Sequence, residues 1–177
     1  MQILFCDQSL SRFGYSIFKF EDNIYQLIKC GSIQLNSKVD YFYRMMSLEP
    51  ILDQLIKENQ ITNVVMEAVQ YQKNIDTFQK LSQLLIFLKY FFVCRGISIE
   101  EPIPVNVWRK KGVRKLFQLS KGDKETLYHY LNDYFGKPDH FNPDVSDAIG
   151  LGVYFGRFHL TYENMELTIK RVDFLQI

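Results

Sequence analysis

Four carboxylates stand at the ends of apolar runs in this chain. Asp7 closes Ile3-Leu4-Phe5-Cys6, Glu67 closes Asn63-Val64-Val65-Met66, and Asp144 and Asp147 open the run from Ala148 to Tyr154. An acid at the end of a buried strand loses hydration that only positive charge or hydrogen-bond donors restore. Taken singly, each reads as a helix cap or a strand-end residue, Asp144 above all. Taken together, three stretches ending this way point to side chains converging on a divalent cation, Mg²⁺ in particular, whose ligands are hard oxygens. Four acids at one point repel each other, and two divalent ions would offset the repulsion. In two-metal sites the ions lie ~3.5–4 Å apart and stabilise both the attacking and the leaving oxygen of a phosphodiester displacement. In this reading Asp7 bridges the ions, while Glu67, Asp144 and Asp147 hold the flanks. The two aspartates are three residues apart, so on a helix they share a face.

The elements that must position these acids follow from periodicity. Apolar alternation predicts strands over 2–7 and about 13–20, joined by a short turn, and a third over about 24–34, together an antiparallel meander. Val39, Phe42, Met46, Leu52, Leu55 and Ile56 lie near helical spacing, with Pro50 expected to kink or interrupt the helix. Thr62–Glu67 is a short strand, and the helix-then-strand order implies a parallel crossover. An apolar helix over 75–94 ends at Gly96, a short strand follows at 97–99, and 104–120 is irregular and basic. A helix over 124–135 precedes a loop, and Pro143 suits the first residue of a last helix reaching Phe158. The tail reads as a strand or a short extra helix. The resulting fold class is α/β, a mixed five-stranded sheet flanked by helices. It comprises one domain over 1–160 and a C-terminal extension over 161–177 to which no role is assigned. Sheets of this kind place ligands at strand ends.

The formal net charge of +1 hides a local excess of positive charge. Arg109, Lys110, Lys111, Arg114, Lys115, Lys121 and Lys124 face a single acid, Asp123, in one stretch. Such a run suits phosphate contacts that carry little sequence information and weaken with salt. Trp108 beside it reads as a packing residue, with stacking as the alternative. Cys6, Cys30 and Cys94 have no metal-ligand spacing and read as reduced core residues of a cytosolic protein. No leader pattern and no apolar run near the ~18 residues of a membrane span is visible, so a cytoplasmic protein without membrane contact is expected. The helix 75–94 is more apolar than one buried stripe requires, so it is either core on most sides or a face that pairs with its twin.

Asp7 followed by Ser9 and Gly14-Tyr15 resembles the first motif of the RuvC-type Holliday junction resolvases. Val64-Val65-Met66-Glu67-Ala68-Val69, followed by Lys73-Asn74 and an apolar helix, resembles the second, and Asp144-x-x-Asp147-Ala148 the last. The resemblance runs over about 2–156 and is similar in kind to the short enzymes encoded by phages of Gram-positive hosts. It implies an RNase H-like fold and Mg²⁺ or Mn²⁺ dependence with two ions per site. It also implies a homodimer and paired nicks across four-way DNA junctions and other branched DNA. It further implies that Lys124 neutralises the scissile phosphate or orients the attacking water, and it sets Lys73 on the DNA surface. Two departures stand out: Gln8-Ser9-Leu10 follows Asp7 where the family has a small Pro-Gly-like pair, and Gln70 stands where a base-stacking aromatic is expected. Tyr71, one residue later, takes over the stacking in this reading. The competing readings are another nuclease of RNase H type, which normally carries its third acid on a strand, and a junction-binding protein without catalysis. The actin-like and sugar-kinase ATPases share the first-strand Asp but need two such domains.

Overall fold

The structure, a computed structural model, describes residues 1–9, 11–71, 74–160 and 165–169 and the main chain of 174–176. Lys73 lies outside the described residues.

β1 (Gln2–Asp7), β2 (Arg12–Glu21) and β3 (Ile24–Gln34) form the expected meander, with Asp7 opposite Gly14. Asp22 and Asn23 take φ of 50° and 61° in the tight turn between β2 and β3, the left-handed geometry that matches the twist of a hairpin. β4 (Asn63–Met66) joins β1 in parallel, and β5 (Ser98–Ile99) joins β4. The tail supplies β6 (Glu166–Thr168) and β7 (Phe174–Gln176), both parallel to β3. Among the described residues the sheet therefore has seven strands, in the order β5-β4-β1-β2-β3-β6 with β7 also on β3, where the sequence predicts five.

The period of two along each strand sorts the core into two layers. Leu4, Cys6, Val64 and Met66 face α1 (Tyr41–Asn59) and α2 (Ile75–Val93), packing with Leu48, Leu52, Leu84 and Leu88. Ile3, Phe5 and Val65 face the opposite side, with Trp108, Leu127 and Ile149. Carried one step further, the same alternation brings Asp7 and Glu67 out on that second side. α1 runs continuously through Pro50, so the expected interruption is absent. Gly96 takes φ +70° just beyond α2, as its position predicts. Cys6 and Cys30 are buried, but Cys94 is exposed at the end of α2, so it is not the core residue expected of it.

The basic stretch is more regular than its composition predicts. Asn106–Val113 forms a π-helix that continues into a short α3 (Arg114–Leu116). Its i→i+5 turns have a wider period than the α-helical one, so no 3.6-residue pattern marks it. α4 (Lys124–Tyr134) is capped by Asp123, whose side chain accepts from the Thr126 N–H at 2.8 Å. α5 (Pro143–Phe158) is buried along most of its length across β1, β2 and β3. It is tied to the sheet by Ser16 donating to the Ala148 carbonyl at 2.8 Å and Tyr25 donating to that of Gly152 at 3.0 Å.

Candidate active site

Asn142, not Asp144, caps α5: its side chain accepts from the N–H groups of Asp144 and Val145 at 3.1 and 3.2 Å. Asp144 is thereby released from the capping role that its position alone would give it. β1 and β4 run in parallel register, Cys6 beside Met66, so Asp7 and Glu67 leave neighbouring strands at the same level. The N-terminal turn of α5 lies against β2, and its Asp144 and Asp147 meet them there.

Two cations stand among the four acids. Lys124 Nζ lies 3.0 Å from Asp7, 2.6 Å from Asp144 and 3.0 Å from Asp147. The Arg109 guanidinium lies 2.6 Å from Asp147 and 3.9 Å from Glu67. Among the described residues, no three His, Cys, Asp or Glu side chains form a closed metal cage, and the acids are bridged by these cations instead. The set nonetheless fits a hard cation on its donors. All four acids supply oxygens, and Oδ1 of the buried Asp147 has no hydrogen-bond partner among the described residues.

Electrostatics bears out the crowding. Burial, and then the neighbouring Asp7 charge, push the Glu67 carboxyl up to about 7, against the pull of Arg109 and the Trp108 hydrogen bond. Burial raises Asp7 as well, opposed by Lys124, and burial together with Asp7 raises Asp147. For Lys124 burial works against the ammonium, but the three aspartates more than offset it and hold its pKa above the ordinary lysine value. Asp7, Glu67 and Asp147 thus resist ionisation as they stand, and added positive charge would relieve them.

The sequence-based site residues divide into two groups. Arg109, expected on the DNA surface, is drawn into the acid cluster with Lys124. Lys110, Lys111, Arg114, Lys115 and Lys121 remain exposed outside it. Lys110, Arg114 and Lys115 line one groove with Gln118, and Arg114 also donates to the main-chain carbonyls of Leu119 and Ser120 at 3.4 and 3.3 Å. Tyr71 is 67% exposed and meets Phe78 edge-on at 5.5 Å. Two further contacts were not legible. The indole N–H of the buried Trp108 donates to Glu67 Oε2 at 3.0 Å, and the Gln8 side-chain amide donates to the Glu67 main-chain carbonyl. A sequence signal for the first existed, since a buried indole N–H requires an acceptor.

A family model described as crossover junction endodeoxyribonuclease RuvC matches residues 3–155. The RuvC of Alkaliphilus metalliredigens is 33% identical over 155 residues, 86% of this chain and 91% of that protein. The RuvC of Caldanaerobacter subterraneus is 25% identical over 155 residues, 86% and 90% of the two chains. Among solved structures, Thermus thermophilus RuvC in complex with a Holliday junction substrate aligns with a TM-score of 0.66 at 10% identity, covering 89% of this chain and 96% of that one. The Fowlpox virus resolvase bound to Holliday junction DNA aligns at 0.55 and 18% identity, covering 91% and 100%. These structural likenesses carry the fold, which is the RNase H-like fold of resolvases. The family match runs from within β1 to within α5 and includes all four acids, so the chain belongs to the family of the crossover junction endodeoxyribonuclease RuvC.

Proposed function

We propose that the protein is a structure-selective endonuclease that hydrolyses phosphodiesters in Holliday junctions and other branched DNA. The observation that carries this reading is the meeting of Asp7, Glu67, Asp144 and Asp147 around Lys124 and Arg109, in a chain of the RuvC family. The four acids would hold the divalent cations, Mg²⁺ with Mn²⁺ as substitute and two to a site. When bound, these ions supply charge neutralisation and Lewis acidity at the scissile phosphate.

The chain's own groups do the remainder. Lys124, with its side chain 37% exposed, has the reach to exchange its aspartate partners for a phosphate oxygen and to orient the attacking water. Arg109 holds the same Asp147 oxygen that Lys124 contacts. Lys110, Lys111, Arg114, Lys115 and Lys121 contact phosphates beyond the site, a role we extend to Lys73, and Tyr71 offers its exposed ring to an unstacked base. The enzyme acts in the cytoplasm as a homodimer, suited to two symmetric nicks. In support, Phe42, Ile86 and Tyr90 are exposed on α1 and α2 and line one apolar groove with Met45 and Phe87. Among the described residues no helix is long and apolar enough to cross a membrane. Residues 1–160 carry the nuclease site, with 161–177 an extension.

The test is cleavage of labelled four-way junctions, beside linear duplex and RNA–DNA hybrid, with and without Mg²⁺, for wild type and Asp7→Asn. Cutting of the junction alone, dependent on metal and on Asp7, is expected. Cutting of the hybrid would move the assignment to an RNase H-type nuclease, and tight junction binding without cutting under any metal would leave a binding protein.

A further inference from the structure

Glu67 is gripped at two points by residues that carry no charge. Gln8 holds its main-chain carbonyl, and the Trp108 indole holds Oε2 at 3.0 Å. Trp108 is 1% exposed and leaves no slack: a Cβ on Gly150 of α5 would come within 2.9 Å of its ring, and the Arg109 guanidinium lies 4.7 Å from the ring centroid. Indole has a single donor and no acceptor. Here that donor is spent on a carboxylate of another element, although main-chain carbonyls are the commoner partners. The wide turn of the π-helix reduces the angle between consecutive side chains, so the adjacent Trp108 and Arg109 both reach the acids.

We propose that Trp108 is a positioning residue of the nuclease site: its N–H, rather than its bulk, holds the Glu67 carboxylate where it can bind a divalent cation. This rests on the reading of Glu67 as a metal ligand. Partners that orient a metal ligand from behind typically cost 10–100-fold in metal affinity or activity when lost.

The chain contains one tryptophan, so replacing tryptophan throughout with β-(3-benzothienyl)alanine changes position 108 alone. Sulfur then takes the place of the N–H and the ring shape is kept. Trp108→Phe is the genetic counterpart, and the benzothienyl protein decides if that variant fails to fold. Three quantities are measured: calorimetric Mn²⁺ affinity, the melting temperature of the metal-free protein, and kcat and KM on a four-way junction. Mn²⁺ affinity is expected to fall 10–100-fold with a comparable fall in kcat, while junction KM and metal-free melting stay near wild type. Unchanged Mn²⁺ affinity, with or without a lower melting temperature, overturns the proposal, because packing alone would then explain Trp108. Wild type that takes up no Mn²⁺ overturns both this inference and the metal-site reading, whereas wild-type uptake unaltered in the variant overturns only the role of Trp108.

Discussion

Gly14 stands opposite Asp7 in the β1–β2 ladder and lies directly against the main chain of Asp144. A Cβ at position 14 would come 2.3 Å from the Asp144 carbonyl oxygen. One residue without a side chain thus sets the spacing between acids from opposite ends of the chain. The obstacle is main chain on both sides, which cannot rotate away. Gly14→Ala should therefore push the N-terminal turn of α5 off the sheet. Overpacking of this kind costs ~1–3 kcal/mol, or roughly 2–10 °C of melting temperature in a domain of this size. Displacing Asp144 by even ~1 Å should cost on the order of 100-fold in cleavage rate. Thermal melts and junction cleavage check both, and wild-type cleavage in a destabilised variant would show that the acids follow α5 without penalty.

Asp144→Asn should abolish cleavage while leaving the metal-free protein as stable as before or slightly more so. The change removes one of four crowded negative charges, and Lys124 keeps Asp7 and Asp147 at 3.0 Å each. A clear drop in metal-free melting temperature would instead make Asp144 a structural anchor for α4.

Lys124→Met should have the opposite effect on the metal-free protein. It strips three aspartates of their shared cation, a loss that costs ~3–5 kcal/mol at fully buried pairs. Lys124 is 37% exposed, so solvent screening lowers the expectation to about 1–2 kcal/mol. The same ammonium competes with any divalent cation for those oxygens, so Mn²⁺ should bind the variant more tightly than wild type even though cleavage falls. Calorimetry reads the affinity, and weaker Mn²⁺ binding would mean that Lys124 organises the acids rather than competing for them.

The raised pKa of Glu67 makes the metal-free fold sensitive to alkali. A carboxyl at about 7 in the folded chain and near 4.5 unfolded binds its proton more tightly when folded. Its contribution to stability is therefore complete below pH 4.5 and is lost as pH rises through about 7, on the order of 2–4 kcal/mol in all. Melting in EDTA should fall between pH 5 and 8 for wild type and fall less for Glu67→Gln. Saturating Mg²⁺ should flatten the wild-type curve, because bound cation favours the ionised carboxylate. Identical slopes for wild type and Glu67→Gln would remove Glu67 as the cause.

The acids and the scaffold were legible for the same reason. Strand alternation puts Asp7 and Glu67 on one face once Phe5 and Val65 are placed in the core, and a three-residue spacing puts Asp144 and Asp147 on one side of a helix. What escaped obeys no short period. The π-helix turns more widely than an α-helix and sits inside a basic run, so the turning of Arg109 and Trp108 into the site leaves no 3.6-residue pattern. β6 and β7 are three residues each, too short for alternation to decide between the strand and the short helix that the tail suggests. α1 continues through Pro50 because packing at Met45, Leu48, Leu52 and Leu55 holds it on both sides of the proline.

Neutralising Lys110, Lys111 and Lys115 together should weaken junction binding without touching the acids, because all three are exposed and none is paired with Asp7, Glu67, Asp144 or Asp147. They leave the π-helix and α3 next to the turn that delivers Arg109 to Asp147, so DNA following them would run toward the site. Phosphate contacts carry no sequence information, so the loss should be the same for junctions of different sequence. Each contact removed should flatten the salt dependence of log affinity by about one unit. Binding titrations between about 50 and 200 mM salt resolve such a change, since six to ten contacts shift affinity by ~10³–10⁵ over that range. At saturating DNA the cleavage rate should stay near wild type, because the acids, Lys124 and Arg109 are unaltered. An unchanged salt slope would take this surface off the DNA path, and a lost kcat at saturation would tie the basic residues to the chemistry instead.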